Sequence, residues 1–348
     1  MAITYHSGRR IQATQADFDG TPAVLGGWKE LARTTLGSSG DTISVSSLPD
    51  KRYYMLLTDS RPSGNLNVGH RAGNGSIDTG NNYAKRPSIN GASDITTHVN
   101  NNNFLEIDGL NHTDNMFSVN YLSNLSSKEK LGIGHSVRQN TAGAGNAPNR
   151  TEYVGKWANT SDVIDTLQTI NFGSGDLTSG SELVVLGYDP DDTHTDNFWE
   201  ELATASGTGS SLDTGTFTAK KYLWVQCFCD GTSSTNINYQ FNGDTGNNYA
   251  HRESINGASE ATGINNSTTD NLTNTGTGTF FTNMFIVNNS SNEKLWINHG
   301  MQATTGAGNA PARRETVGKW TNTSDQITRI VANSAFGTDS FIKVWGSN

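Results

Sequence analysis

The stretch NNYAKRPSINGAS at Asn81–Ser93 returns as NNYAHRESINGAS at Asn247–Ser259, so the chain is built from a duplicated unit. Downstream, KEKLGIGH at Lys128–His135 matches NEKLWINH at Asn292–His299. Further on, TAGAGNAPNRTEYVGKWANTSD at Thr141–Asp162 matches TTGAGNAPARRETVGKWTNTSD at Thr304–Asp325. Upstream, GWKELAR at Gly27–Arg33 resembles FWEELAT at Phe198–Thr204. The blocks keep their order at a nearly constant offset, which defines two units of ~150–160 residues, each long enough to bury its own core and far above the period of a solenoid. The division that follows is an N-terminal arm at 1–26, a first domain at 27–188, a linker at 189–196 and a second domain at 197–348 that repeats the first.

Within each unit, helical periodicity is almost absent, and short alternating runs bounded by Gly, Asn, Asp and Ser recur throughout. The expected strands of the first unit include Tyr53–Leu57, Leu66–His70, Met116–Leu122, Lys130–Ser136, Thr151–Lys156 and Glu182–Leu186. Those of the second include Tyr222–Phe228, Asn236–Phe241, Phe280–Val287, Lys294–His299, Glu315–Lys319 and Ser340–Trp345. Eight or so short strands per unit predict an all-β chain of two tandem antiparallel β-sandwich domains, jelly-roll in type. Along Arg150–Trp157, Arg150, Glu152, Val154 and Lys156 share one face and Thr151, Tyr153, Gly155 and Trp157 the other. The charged face is expected to be solvated and Trp157, like Trp320, to enter the core, with the nearby glycine making room for an aromatic ring.

Only 16 % of residues are charged and Gly numbers 38, which gives a polar but weakly charged surface. The net charge of −9 argues against a nucleic-acid backbone as partner. No apolar run reaches the length of a membrane span, and MAITYHSGRR lacks a signal-peptide core, so neither membrane insertion nor Sec export is expected. Cys227 and Cys229, two apart on a strand, point to one face and read as buried free thiols. The linker is short, so limited relative motion of the domains is expected.

Chemistry is sparse. GAGNAP at Gly143–Pro148 and Gly306–Pro311 has neither the GxGxxG spacing nor a following Lys-Ser/Thr, and reads as a turn whose exact retention implies that its shape matters. Asn82 and Asn248, with Tyr83 and Tyr249 as stacking platforms and Arg86 and Arg252 beside them, have two readings. They tie a loop to the sandwich, or they contact a sugar. Asp189, Asp191, Asp192 and Asp196 form an acidic group that reads as a solvated linker or a calcium clamp but lacks the EF-hand pattern, and His135 and His299 end equivalent strands as structural or rim residues. Glu152 and Glu315 repeat, yet each sits among Arg and Lys in a row that reads as cross-strand ionic pairing rather than a glycosidase pair. No nucleophile motif occurs, so no catalytic, cofactor-binding or metal-binding residue is assigned and no enzymatic activity or cofactor is expected.

The strings YHSGRRIQ, TTLGSSGDTISVSSLPDKRYYMLL at Thr34–Leu57, the NYA(K/H)R(P/E)SINGAS block and GAGNAP with VGKW(A/T)NTSD resemble a group of proteins encoded by marine tailed bacteriophages and related environmental viruses. The similarity runs over nearly the whole chain. It implies a virion structural protein on the particle surface, decorating or stabilising the capsid or forming part of a fibre, made in the host cytoplasm. It also implies a homo-oligomer, with a trimer as first choice, that contacts other virion proteins such as the major capsid protein, with the unmatched arm reaching a neighbouring subunit. The rival reading is a tandem carbohydrate-binding module that attaches to a host glycan.

Overall fold

The structure is a computed structural model that describes residues 27–95, 102–107, 112–194, 196–303 and 306–348; the expected arm at 1–26 lies outside the described residues. Among the described residues all regular structure is β. The first half contributes β1 (Lys29–Thr35), β2 (Thr42–Val45), β3 (Tyr53–Ser60), β4 (Val68–Asn74), β5 (Ser76–Ile77) and β6 (Tyr83–Ile89). Then follow β7 (Leu105–Glu106), β8 (Met116–Ser123), β9 (Lys130–Arg138), β10 (Asn149–Trp157), β11 (Thr166–Asn171) and β12 (Glu182–Tyr188). The second half contributes β13 (Glu200–Ser206), β14 (Gly209–Asp213), β15 (Tyr222–Thr235), β16 (Asn238–Phe241), β17 (Tyr249–Ile255) and β18 (Ala261–Asn266). It ends with β19 (Gly276–Val287), β20 (Lys294–Ala303), β21 (Ala312–Trp320), β22 (Ile330–Phe336) and β23 (Phe341–Ser347).

Each half is a large antiparallel sheet backed by a smaller one. The first has the order β1-β12-β3-β8-β9-β10-β6 against β2-β11-β4-β5, with β7 beside β4. The second repeats it as β13-β23-β15-β19-β20-β21-β17, adds β18 at the edge, and backs it with β14-β22-β16. A bridge between Gly231 and Phe336 joins the second half's sheets into one of eleven strands. Strands β1 and β13, the GWKELAR and FWEELAT segments, carry no strand signal in the sequence. Their Glu, Leu, Ala and Arg favour helix, and edge pairing with β12 and β23 overrides that preference.

Three apolar clusters form. One fills the first sandwich around Leu56, Trp157, Leu167 and Leu183. A second fills the other sandwich around Cys227, Phe241, Trp296 and Trp320, so both cysteines are buried free thiols. The third lies between the two large sheets, where Met55, Leu57, Phe117, Val119, Val137, Val184 and Leu186 meet Tyr222, Phe285, Val287, Leu295, Ile297 and Val317. The chain therefore stacks sandwich on sandwich through the outer faces of its large sheets. In β12, Leu183 and Val185 point to the first core while Val184 and Leu186 point to the second half, which is why ELVVL runs apolar without alternation.

This third layer corrects the expected solvation of the charged face. The alternation along Arg150–Trp157 holds, and Trp157 and Trp320 are buried, but Arg150, Val317 and Lys319 on the outer faces are buried as well. They lie where one sheet covers the other. The glycines do make room: a Cβ on Gly318 would run into the Trp296 ring, and one on Gly155 would meet Leu105 at 2.7 Å. Position 132 is Gly where the second half has Trp296, and β7 supplies Leu105 to the first half in its place.

Candidate binding surface

The outer face of the first large sheet is covered over only part of its length. Toward the β8–β9 hairpin, Leu131, Ile133 and Val154 are 58 %, 55 % and 51 % exposed. Strand alternation puts them on one face, and Trp28, Tyr53 and Tyr121 extend it into an apolar groove of about 850 Å³ with Arg86 and Lys156 along its lining. Trp28 stands with its ring centroid 6.2 Å from that of Tyr121 and 5.8 Å from that of Tyr188. Tyr53 stacks on Tyr188 at 6.4 Å. Burial pushes the Tyr121 hydroxyl up to about 12, so that group stays protonated at any physiological pH.

The NNYA blocks resolve in favour of structure. Tyr83 and Tyr249 are buried, and the Tyr83 hydroxyl accepts from Ala72 N at 3.0 Å and lies 2.9 Å from both the Ala72 and Asp78 carbonyls. Tyr249 accepts from Phe241 N at 2.9 Å and donates to Asp244 O at 3.2 Å. The hub of each block is an aspartate just upstream. Asp78 accepts from Gly80 N, Asn82 Nδ2 and Trp157 Nε1, each at 2.8 Å. Asp244 accepts from Gly246 N at 2.8 Å, Asn248 Nδ2 at 2.9 Å and Trp320 Nε1 at 2.7 Å. Burial alone would raise both carboxyls, and these donors more than offset it, holding each below the ordinary carboxylate range. The identical DTG at Asp78–Gly80 and Asp244–Gly246 was the available signal.

The remaining candidates are mostly tied into ion pairs. Lys51 pairs with Asp192, and Lys29 with Asp196 at 2.9 Å, so two of the four linker aspartates are held by lysines. No group of three or more His, Cys, Asp or Glu able to hold a metal occurs among the described residues. Glu152 pairs with Arg150 two positions away on its own strand, whereas Glu315 pairs both with Arg313 on its own strand at 3.5 Å and, across strands, with Arg150 of β10 at 3.3 Å; Arg150 also reaches Glu260 at 2.7 Å. His135 and His299 do not end their strands. They sit inside β9 and β20 and meet between the halves, ring centroids 4.4 Å apart. Burial, then His299 and Arg150, lower His135 to about 3; burial also lowers His299.

The GAGNAP turns lie in equivalent places, between β9 and β10 and between β20 and β21, with Gly143 and Gly306 at φ 90° and 92°, where an L side chain is strained. The first turn is plugged into the second half. Gly143 N donates to Glu293 Oε1 at 2.6 Å, and Lys319 Nζ donates to the carbonyls of Gln139 at 3.0 Å and Thr141 at 2.6 Å. Arg252 Nε donates to Pro148 O at 2.8 Å, and Asn265 N to Ala144 O at 2.9 Å. The sequence marked the turn but gave no hint of this socket.

No protein-family model matches the chain, and no curated protein matches it. Among solved structures, the LG1–3 region of the laminin α2 chain aligns at 7 % identity over 88 % of this chain and 64 % of that one, with a TM-score of 0.20. The chain thus spans somewhat under two thirds of that fragment. Domains LG4–5 of the mouse laminin α1 chain align at 10 % identity over 92 % and 88 %, TM-score 0.19. Ail, the attachment invasion locus protein of Yersinia pestis, aligns at 7 % identity over 82 % and 98 %, TM-score 0.13. Scores this low relate neither fold nor function. No helix among the described residues is long and apolar enough to cross a membrane.

Proposed function

We propose that the protein is a non-catalytic structural component displayed on a virus particle, decorating or stabilising the capsid or forming part of a fibre. The observation that carries the reading is the open apolar groove on a face whose matched residues in the other half are buried between sheets. Leu131, Ile133 and Val154 correspond to Leu295, Ile297 and Val317, which are 1 %, 3 % and 1 % exposed. A contiguous apolar face of this kind is suited to contact with another macromolecule. The resemblance to phage-encoded proteins supports the particle surface as its station, with assembly in the host cytoplasm, a trimer as first oligomer and the major capsid protein as a partner. On this reading the sandwiches depart from the jelly roll where β8, β9 and β10, and again β19, β20 and β21, run as consecutive hairpin neighbours in one sheet. Ile133→Glu is expected to fold normally and to fail to reattach to particles lacking the protein. Reattachment at wild-type level would remove the groove from this role.

The aromatic wall favours a second reading, attachment to a glycan. Trp28, Tyr53 and Tyr121 offer ring faces to a sugar, with the guanidinium of Arg86 nearby. A glycan array probed with the wild type, Trp28→Ala and Tyr121→Ala tests it: binding lost in both variants supports it, and no bound glycan ends it. Substituting Tyr83 or Tyr249 is no test, because both rings belong to the cores.

A further inference from the structure

The socket that holds the first GAGNAP turn has a vacant counterpart. Its ligating side chains are Glu293, Lys319 and Arg252, and the repeat places Glu129, Lys156 and Arg86 at the same positions of the first half. The supporting carboxylates match too. Arg252 pairs with Glu260 at 3.3 Å, and Arg86 with Asp94 at 3.4 Å. Lys319 and Glu293 lie 3.5 Å apart with side chains 0 % and 5 % exposed. Lys156 and Glu129 lie 2.8 Å apart and are 43 % and 37 % exposed. One socket is filled and buried; the other presents the same three side chains and is open.

The plug is duplicated as well. Gly306–Pro311 repeats Gly143–Pro148 residue for residue, keeps its positive φ at the first glycine, closes with Asn309 N donating to Gly306 O at 3.2 Å, and is exposed along its whole length. Ala144 and Pro148 of the first plug are buried. The apolar surfaces beside plug and socket follow the same pattern. The filled socket adjoins Leu295, Ile297 and Val317 under Phe117 and Val137, whereas the open one adjoins bare Leu131, Ile133 and Val154. The second half's counterparts of Phe117 and Val137 are Phe281 and Met301, of which Met301 is 41 % exposed.

We propose that the Gly306–Pro311 turn of one copy of this chain docks into the Glu129, Lys156 and Arg86 socket of another, with the groove closing against the second copy's β19–β20 surface. The contact repeats between chains the contact already made within one. Both surfaces differ, so the interface is heterologous: copies join head to tail, and a series of them closes as a ring or runs on as a filament. The inference stands apart from the protein's location on a particle.

The test uses the full-length chain. Sedimentation of the wild type over a concentration series is expected to show reversible self-association, and Lys156→Glu with Arg86→Glu, both on exposed side chains, is expected to weaken it about tenfold or more by removing charged donors to carbonyls. Gly306→Val should do the same from the plug side. Unfolding curves identical to the wild type's keep these results from being a folding defect. Pro311→Cys and Arg86→Cys in separate chains should form a mixed disulfide only when the two are combined. A wild type that stays monomeric to its solubility limit, or association untouched by either set of variants, overturns the proposal. So does a doubly substituted chain that links within itself faster than to a neighbour, because the socket would then belong to its own chain.

Discussion

Leu131, Ile133 and Val154 in the first half and Leu295, Ile297 and Val317 in the second occupy the same places in the same strands, yet the first three face an open groove and the second three are sealed. Lys156 and Lys319 show the same contrast in a charged side chain. Duplication copied the residues and the local structure but could not copy the surroundings, because the outer face of the second half's sheet meets Phe117 and Val137 while the groove does not. An identical residue is therefore a surface group in one half and part of a sealed interface in the other.

The comparison breaks most sharply where the halves are equivalent. Trp157→Ala and Trp320→Ala should each cost about 3–5 kcal/mol in chemical unfolding, since each removes a core ring and leaves Asp78 or Asp244 short of a donor. A large inequality between them would show that the two aspartate hubs are not interchangeable. Next come the lysines. Lys319→Ala strips a buried carboxylate of its partner and two carbonyls of their donor, an expected loss of about 3 kcal/mol or more, whereas Lys156→Ala should stay within about 0.5 kcal/mol.

Ile297→Ala should cost about 2–4 kcal/mol, and Ile133→Ala close to nothing in the dilute protein. Equal losses would mean that the groove is covered in solution. The last effect, small near neutral pH, is on pH dependence. His135, whose ordinary value of 6.5 falls to about 3 through burial, the neighbouring His299 and Arg150, stays neutral when folded. Burial likewise brings His70 to about 4. Between those values and 6.5 the unfolded chain takes up protons that the folded one refuses, so stability is complete above pH 6.5 and falls on acidification. Each such histidine contributes a slope of up to about 1.4 kcal/mol per pH unit. His135→Gln should flatten the curve by one such share; an unchanged slope would place the titration elsewhere.

Much of the architecture was legible. The repeat blocks, most strands of the two large sheets, the core tryptophans and the turn at GAGNAP follow from period-two alternation and glycine chemistry, which act over a few residues; the short β5, β7 and β14 and the edge strand β18 do not. Strands β1 and β13 were not, because KELARTT and EELATAS have helix-favouring composition and become strands only by adding to a sheet edge. The aspartate hubs were missed although their signal was present in DTGNNYA. Tyr83 looked like a stacking platform because local sequence does not say on which side of a sheet a ring lies.

The sequence by itself determined a duplicated, all-β chain with buried thiols and tryptophans, because those properties depend on composition, alternation and turn residues that are read locally. Only the tertiary structure decided that the sandwiches stack through their large sheets, that Arg150 and Lys319 are buried, and that one plug is seated while its twin is exposed. The physical reason is that burial belongs to a pair of surfaces. Two stretches with the same residues acquire different energies as soon as one is covered and the other is not, and the covering residues lie more than a hundred positions away along the chain.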